Sequence, residues 1–424
     1  MLIGVGGFGG YHLAAINTLC QQGRIRLLAV ADPAIEKMPQ LKKELQDREV
    51  RLYSDYIQLL EHETNCTAVS IAAPIPFHFE IVKACIKRDL LIYLEKPPVP
   101  LLSQLETLVD LDMNHRVYVG FQYLCYPWMR QLKSWIIEGR FGEVSSLRAS
   151  ACWNRTDTYY QRSAWCGKMM FQDRPAFDGP ATNALAHLIH SIMYLASPDP
   201  DGFSIPSEVR GELYRARRIE SYDVASLCGR FDSGPEFSVA VTHATQFESP
   251  FGLSVSGTEG WAKISMNGAR METSFGETQE YIEPKEVLRN SYCGFMDFVE
   301  GQRQMPHTTL ADCRGYTIAT NGLLLSSGGI HDVPEEFTHI YQQNGKRGYS
   351  VEGLESAVMG TLEMGGTLSD MNFPWTVRTN AIPRERIAAE DLLACLRSHA
   401  PNHAPAETRE LRQFELKEPL THPA

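Results

Sequence analysis

The chain has no run approaching the ~20 apolar residues of a membrane-spanning helix, no basic cluster, no C-x-x-C pair and no internal repeat. Each absence removes a class of function. The chain also starts directly in a strand pattern rather than in a signal peptide, so a cytoplasmic protein without a membrane partner is expected. A net charge of −11 over 424 residues argues against a nucleic-acid partner, which needs a concentrated positive face. The 10 cysteines are scattered singly. That pattern indicates neither a zinc ribbon nor a disulfide framework, and no metal site is expected. What remains is an ordinary globular composition, 43% hydrophobic and 21% charged, long enough for two or three domains.

The positive signal begins at the N-terminus. Gly4-Val5-Gly6-Gly7-Phe8-Gly9 fits G-x-G-x-x-G, with apolar Met1-Leu2-Ile3 before it and a helix-like stretch, Tyr11 to Gln22, behind it. A second apolar run, residues 25–31, ends at Asp32. In this context Gly4 permits a tight turn, Gly6 admits a pyrophosphate to the backbone, and Gly9 lets the helix pack against the sheet. Gly7 and Phe8 complete the loop at the helix N-terminus, where phosphate groups bind. Asp32 would accept hydrogen bonds from a ribose 2′-hydroxyl and repel a 2′-phosphate, which favours NAD over NADP. Only three residues precede Gly4, short for a first strand.

Strand and helix signals alternate through residue 120. The runs 67–73, 90–94 and 117–120 read as buried parallel strands, and 35–46, 77–87 and 102–114 as helices. This is an α/β fold: an N-terminal Rossmann-type doubly wound parallel sheet over residues 1–120. Beyond it, segments 144–150, 236–242 and 252–256 alternate apolar and polar residues, the mark of antiparallel strands. With helices at 127–138, 183–195, 291–302 and 311–327, residues 121–335 read as an α+β domain with a largely antiparallel sheet. Residues 336–424 form a C-terminal extension packing on that domain, its end after Ser398 a loosely held tail.

A second site signal is Glu95-Lys96-Pro97-Pro98, directly after an apolar strand. Ligands bind at the carboxyl ends of strands in open α/β sheets. There Lys96 can stabilise an alkoxide, with burial lowering its pKa and Glu95 opposing that. A lysine at an ordinary strand end would read the same way.

The chain resembles the Gfo/Idh/MocA oxidoreductases (glucose–fructose oxidoreductase, inositol dehydrogenase and relatives) over roughly residues 1–335. The resemblance rests on the glycine loop with His12, on Ala73-Pro74 with His78 and Glu80, and on Glu95-Lys96-Pro97. Val119-Gly120-Phe121-Gln122, residues 139–144 and Gly257-Thr258-Glu259-Gly260 extend it. It implies that Lys96 contacts substrate near the nicotinamide and that Ala73, Pro74 and His78 line the nicotinamide end. It also implies a carbohydrate-type substrate and a second sheet often used for oligomerisation, hence a homodimer or homotetramer.

The family's D-x-x-x-H signature falls on the segment 179–190. His187 takes the place of the family histidine, Asn183 replaces the aspartate, and His190 stands where another acid is common. Spacings of three and four would put Asn183, His187 and His190 on one helical face. His187 suits acceptance of a hydroxyl proton near neutral pH, and Asn183 could orient His187 or a sugar hydroxyl. An aromatic and basic stretch carrying Arg155, Tyr159, Tyr160, Arg162 and Trp165 reads, with Gln122, as a substrate wall. The same residues would equally serve to pack a domain interface.

The expected reaction is hydride transfer between a sugar, polyol or uronate-type hydroxyl and the nicotinamide. Two alternatives stay open at this stage: redox-neutral glycoside cleavage with tightly held NAD, and a non-catalytic nucleotide-sensing regulator.

Overall fold

In the computed structural model, residues 1–265, 270–281 and 286–399 are described. The expected tail therefore lies, from residue 400 onward, outside the described residues.

Six short segments build one parallel sheet: β1 (Leu2–Ile3), β2 (Ala29–Ala31), β3 (Arg51–Tyr53), β4 (Ala68–Ile71), β5 (Leu91–Leu94) and β6 (Val117–Val119). Their order is β3-β2-β1-β4-β5-β6. Helices α1 (Gly9–Gln21), α2 (Pro39–Asp47), α3 (Tyr56–His62), α4 (His78–Ile86) and α5 (Leu102–Leu111) make the crossovers. Strand order reverses between β1 and β4, so the loops leaving those two strands diverge and open a crevice at their carboxyl ends. Leu2, Val30, Val69, Ile92 and Val117 are fully buried, as expected of strands covered on both faces.

Two local differences from the sequence reading have simple causes. The stretch 35–46 is not one helix but a 3-10 turn, Ile35–Lys37, followed by α2. Pro39 has no N–H to continue a helix and instead opens a new one at its first position. The apolar run 25–31 is paired only over its last three residues.

After α6 (Pro127–Ile137) comes β7 (Val144–Cys152), then α7 (Asp157–Gln161), the small hairpin β8 (Met170–Phe171) and β9 (Arg174–Pro175), and α8 (Ala186–Leu195). A run of strands follows: β10 (Pro206–Arg215), β11 (Val224–Phe231), β12 (Glu236–Thr242), β13 (Ser249–Gly257), β14 (Trp261–Ser265), β15 (Arg270–Thr273) and β16 (Thr278–Glu280). Then come α9 (Val287–Val299), α10 (Arg314–Ser327) and β17 (His331–Asp332). These strands form a mixed, mostly antiparallel sheet in the order β16-β15-β14-β13-β7-β12-β11-β10-β17. The parallel pairs are β7 with β12 and β10 with β17.

Strand alternation gives this sheet two different faces. Leu147, Ala149 and Ala151 of β7 join the main core with Leu188 and Ile189 of α8. Gly211 of β10 lies so close to Leu323 of α10 that a Cβ would sit 2.4 Å from its Cδ1. The opposite face carries small residues, among them Ser150, Ser226, Ser238 and Ala240. It is covered by residues 338–371: the hairpin β18 (Thr338–Gln343) and β19 (Lys346–Val351), α11 (Leu354–Met364) and a 3-10 turn, Leu368–Met371. Beyond them, β20 (Ile382–Pro383) pairs with β10, and α12 (Ala389–His399) packs Leu392 and Leu396 into the main core.

One buried carboxylate fastens this cover. Glu212, in the middle of β10 and fully buried, accepts hydrogen bonds from the hydroxyls of Tyr214, Thr367 and Ser369 and from the Ser369 amide. A buried carboxylate is tolerable only with such full hydrogen bonding.

Candidate active site

The glycine loop joins β1 to α1 at the crevice. Gly4 has φ +89°, and a Cβ there would lie 2.8 Å from the Ala72–Ala73 backbone. A Cβ on Gly9 would lie 2.5 Å from the Gly4 carbonyl oxygen. Helix α1 therefore starts hard against the strand end, and only glycine allows it. Gly6, Gly7 and Phe8 are exposed at the tip, which leaves the backbone open to a phosphate approaching the helix N-terminus. Asp32, at the end of β2, is mostly buried. One carboxylate oxygen accepts the Val5 and Gly6 amides at 2.8 and 3.1 Å, and the other accepts the Ala34 amide at 2.8 Å. A carboxylate offers about four acceptor positions, so Asp32 braces the loop with three of them and has one left over.

After β5 the chain runs through Glu95 and Lys96, and the Lys96–Pro97 peptide is cis. Glu95 lies 3.2 Å from His12 Nε2 of α1, which links the E-K-P segment to the glycine-loop helix. His12 Nδ1 in turn meets the Tyr292 hydroxyl of α9 at 2.8 Å. His78 was expected to line the nicotinamide end, and here the structure corrects the reading. His78 is fully buried, with Nε2 on the Ala73 carbonyl (2.8 Å) and Nδ1 on the Pro97 carbonyl (3.0 Å). A neutral imidazole carries one N–H, so His78 donates to one of these carbonyls at a time, and its ring sits between the loop after β4 and the loop after β5. Ala73 and Pro74, half-buried, stand on the first of these loops.

Lys96 Nζ donates to the Asn183 backbone carbonyl at 2.8 Å and lies 3.9 Å from Glu95. Burial pushes its ammonium below the ordinary lysine value. The carboxylates of Glu95 and Asp178 push it back up, and the Arg162 charge lowers it. Asn183 is not on the helix: 183–185 are turn residues and α8 begins at Ala186. The shared helical face therefore fails for Asn183. Its side chain does not orient His187 but donates to Asp178 Oδ1 at 2.7 Å.

His187 stacks on Tyr123 with centroids 4.2 Å apart and meets Phe121 edge-on. It is held well below the ordinary histidine value, first by burial and then by the charge of Lys96. The Lys96 charge acts on the His187 imidazole, and Lys96 bonds the carbonyl of Asn183, four residues before His187. His190 itself lies flat on Phe121 at 3.8 Å, against Phe203, with its pKa lowered to about 3 by burial.

The expected substrate wall divides. Arg162 lies 3.6 Å over the Tyr159 ring, near Trp165, and acts electrostatically on both Lys96 and Asp178. Tyr160 turns the other way. It is buried, with its hydroxyl 2.9 Å from His243 Nδ1 and the Arg217 guanidinium over its ring, so it packs the interior. Arg155 pairs with Glu248 and lies over Trp153 and Tyr159. Gln122, just beyond β6, is buried with its Oε1 unpartnered, an acceptor waiting for a donor.

Residues 1–123 match the sequence profile described as "Oxidoreductase family, NAD-binding Rossmann fold", and residues 129–263 match the "GFO/IDH/MocA C-terminal domain". The chain belongs to the GFO/IDH/MocA family. It is an oxidoreductase with an NAD-binding Rossmann fold. Similar solved structures include the WlbA dehydrogenase from Bordetella pertussis in complex with NADH and UDP-GlcNAcA. It is 20% identical, with TM-score 0.64 over 77% of this chain and 95% of that one. A levoglucosan dehydrogenase in complex with NADH and levoglucosan is 19% identical, with TM-score 0.63 over 77% and 95%. The myo-inositol 2-dehydrogenase from Lactobacillus plantarum is 17% identical, with TM-score 0.61 over 77% and 96%. No curated protein matches the chain in sequence.

Within this GFO/IDH/MocA site, sequence reasoning missed Asp178 and Tyr123. Asp178 is 1% exposed, holds Asn183, and accepts the Gly167 amide at 2.7 Å. Its one sequence signal is an isolated acid between Ala176-Phe177 and Gly179-Pro180. Among the described residues, no cluster of three or more potential metal ligands exists, and no helix is long and apolar enough to cross a membrane.

Proposed function

We propose that the protein transfers a hydride between a hydroxyl-bearing carbon of a carbohydrate-type substrate and NAD(H). The observation that supports this reading is that Lys96, just beyond β5 at the carboxyl edge of the first sheet, donates to the Asn183 carbonyl at 2.8 Å, four residues before His187, on whose imidazole its charge acts. Gly6, Gly7 and Phe8 would receive the pyrophosphate and Asp32 a ribose hydroxyl, which favours NAD over NADP. Ala73, Pro74 and Glu95 frame the nicotinamide end. Bound nicotinamide supplies the hydride acceptor or donor.

The chain's own residues supply the rest. Burial and the nearby ammonium keep His187 neutral at pH 7, so it can accept the hydroxyl proton. Lys96, with one of its three N–H donors on the Asn183 carbonyl, stabilises the developing alkoxide with the other two. The buried Gln122 oxygen would accept a second hydroxyl.

Arg162 forms no ion pair among the described residues and so is free to receive a carboxylate, which points to a uronate-type substrate. The UDP-GlcNAcA and levoglucosan held by the similar structures support the carbohydrate class. Domain boundaries at about residues 120 and 335 are part of the same proposal.

The test is NADH formation at neutral pH with panels of neutral sugars, polyols and uronates, for the native protein and Lys96→Ala. Loss of turnover by about 10²–10³-fold in the variant, with NADH binding retained, is expected. Unchanged turnover would refute the lysine role, and failure of the native protein to bind NAD(H) would refute the whole reading.

A further inference from the structure

Asp178 has no part in the expected chemistry, yet it is a fully buried acid at the junction between the two sheets. Its carboxylate is specifically held: Oδ2 takes the Gly167 amide and Oδ1 the Asn183 side-chain amide, each at 2.7 Å. The same Asn183 residue offers its backbone carbonyl to Lys96 Nζ at 2.8 Å. One residue is therefore gripped at its side chain by an acid and at its carbonyl by the reactive lysine. Burial pushes the Asp178 carboxyl above the ordinary carboxylate value, and the charge of Arg162, the hydrogen bonds from Gly167 and Asn183 and the charge of Lys96 act against that. Burial first, and the Asp178 charge after it, makes Tyr159, Tyr160, Tyr222 and Cys166 harder to ionise. Isolated burial of a carboxylate is strongly unfavourable, so its retention beside an ammonium calls for an electrostatic account.

We propose that Asp178 is a positioning residue for Lys96: it holds Asn183 so that the Asn183 carbonyl stays on the lysine, and it keeps that lysine charged in a buried place. This rests on the role given to Lys96 above. With Asp178 in place, the ammonium has a fixed acceptor on one N–H, and the other two are left to point at a substrate oxygen. Burial already holds Lys96 below the ordinary lysine value, with Glu95 at 3.9 Å and then Asp178 acting against it; without Asp178 only Glu95 remains of these two, and a larger share of Lys96 is a neutral amine that cannot offset an alkoxide.

The experiment uses two readouts. The first needs no substrate: pH-dependent acetylation of the full-length protein by acetic anhydride, with the Lys96 peptide followed by mass spectrometry. Asp178→Asn is expected to lower the Lys96 titration midpoint by about one pH unit, as loss of a nearby opposite charge does. The second is turnover, where kcat should fall tenfold or more with KM for NADH unchanged. Adding Asn183→Asp to Asp178→Asn restores one carboxylate and one hydrogen bond with reversed polarity, so both readouts should recover. If Asp178→Asn does not fold, Asn183→Ala severs the grip while leaving the acid in place, and its kcat should fall.

The proposal is overturned if the Lys96 midpoint is unmoved in Asp178→Asn. It is also overturned if the double variant folds without recovery, or if Asn183→Ala keeps kcat within twofold. Because acetylation reads Lys96 directly, a failure of the sugar-oxidation reading, seen as turnover surviving in Lys96→Ala, remains distinct from a failure of this one.

Discussion

Lowering the pH should destabilise the protein through a histidine that does no chemistry. His190 lies between Phe121 and Phe203 and is 1% exposed, and burial lowers its pKa from 6.5 to about 3. The folded state therefore keeps it neutral, while the unfolded chain protonates it near 6.5. As pH falls below 6.5 the unfolded state binds one more proton than the folded state, and stability falls with it. The loss runs from the unfolded value down toward 3. At pH 5 it is RT ln(1 + 10^1.5), about 2 kcal/mol relative to pH 7.5. This figure depends on the unfolded value alone, since pH 5 lies well above the folded one.

Replacing His190 with Leu removes the proton site at similar volume. It also forfeits a stacking contribution of about 0.5–1.5 kcal/mol, but that cost is the same at every pH. The assay is urea unfolding of both proteins at pH 7.5 and pH 5. His190→Leu should start lower at pH 7.5 and lose about 2 kcal/mol less than the native protein between the two values. If the two losses agree within about 0.5 kcal/mol, the histidine is not held neutral and the reasoning is wrong. Part of the native loss should persist in the variant, because His78, His187 and His243 are also lowered by burial and His307 is lowered to about 4.

Two further outcomes follow from packing. Glu212→Ala leaves the Ser369 amide and three hydroxyls without their acceptor, at about 3–5 kcal/mol. Hydrogen exchange in α11 and in residues 367–371 should then accelerate while β4 and β5 are unaffected, and unchanged exchange in α11 would contradict the anchoring role. Gly9→Ala drives a methyl to within 2.5 Å of the Gly4 carbonyl oxygen. The loop must shift at about 1–3 kcal/mol, so NADH affinity measured by fluorescence should weaken at least tenfold; retained affinity would mean the glycine loop does not shape that site.

The first sheet was legible because its signals are local. Each strand is a short apolar run, each crossover helix follows within a few residues, and the glycine loop carries its own spacing. The second sheet was legible in kind through alternation at Val144–Cys152 and Glu236–Thr242, the latter with the boundaries expected. The site was legible where a motif named it, as at Lys96 and His187. It was not where the partner is distant in sequence. Asp178 gains its meaning from Lys96, and nothing near residue 178 announces a lysine on the other sheet. His78 and Tyr160 misled for the opposite reason: a histidine or tyrosine beside a ligand and one clamped on backbone or buried against an arginine look alike in one dimension. Asn183 was placed on a helix because the three- and four-residue spacing to the histidines fits one, but the turn that follows Pro180 delays α8 until Ala186. The role of residues 338–371 was unreadable because the strands they cover interleave Ser150, Ser226 and Ser238 with Cys152, Tyr214 and Val224 rather than presenting an unbroken apolar stripe.

That serine-lined surface has a consequence for assembly. Strands with small side chains make a flat, closely approachable plane, and here the protein's own α11 already lies across it. A second molecule offering its sheet to the covered part of this plane would meet α11, with Met364 exposed on it and the Met359 sulfur against Ser150 beneath it, held there by the segment that Glu212 anchors. Shortening the protein before residue 338 would therefore uncover the part of the plane that α11 lies across.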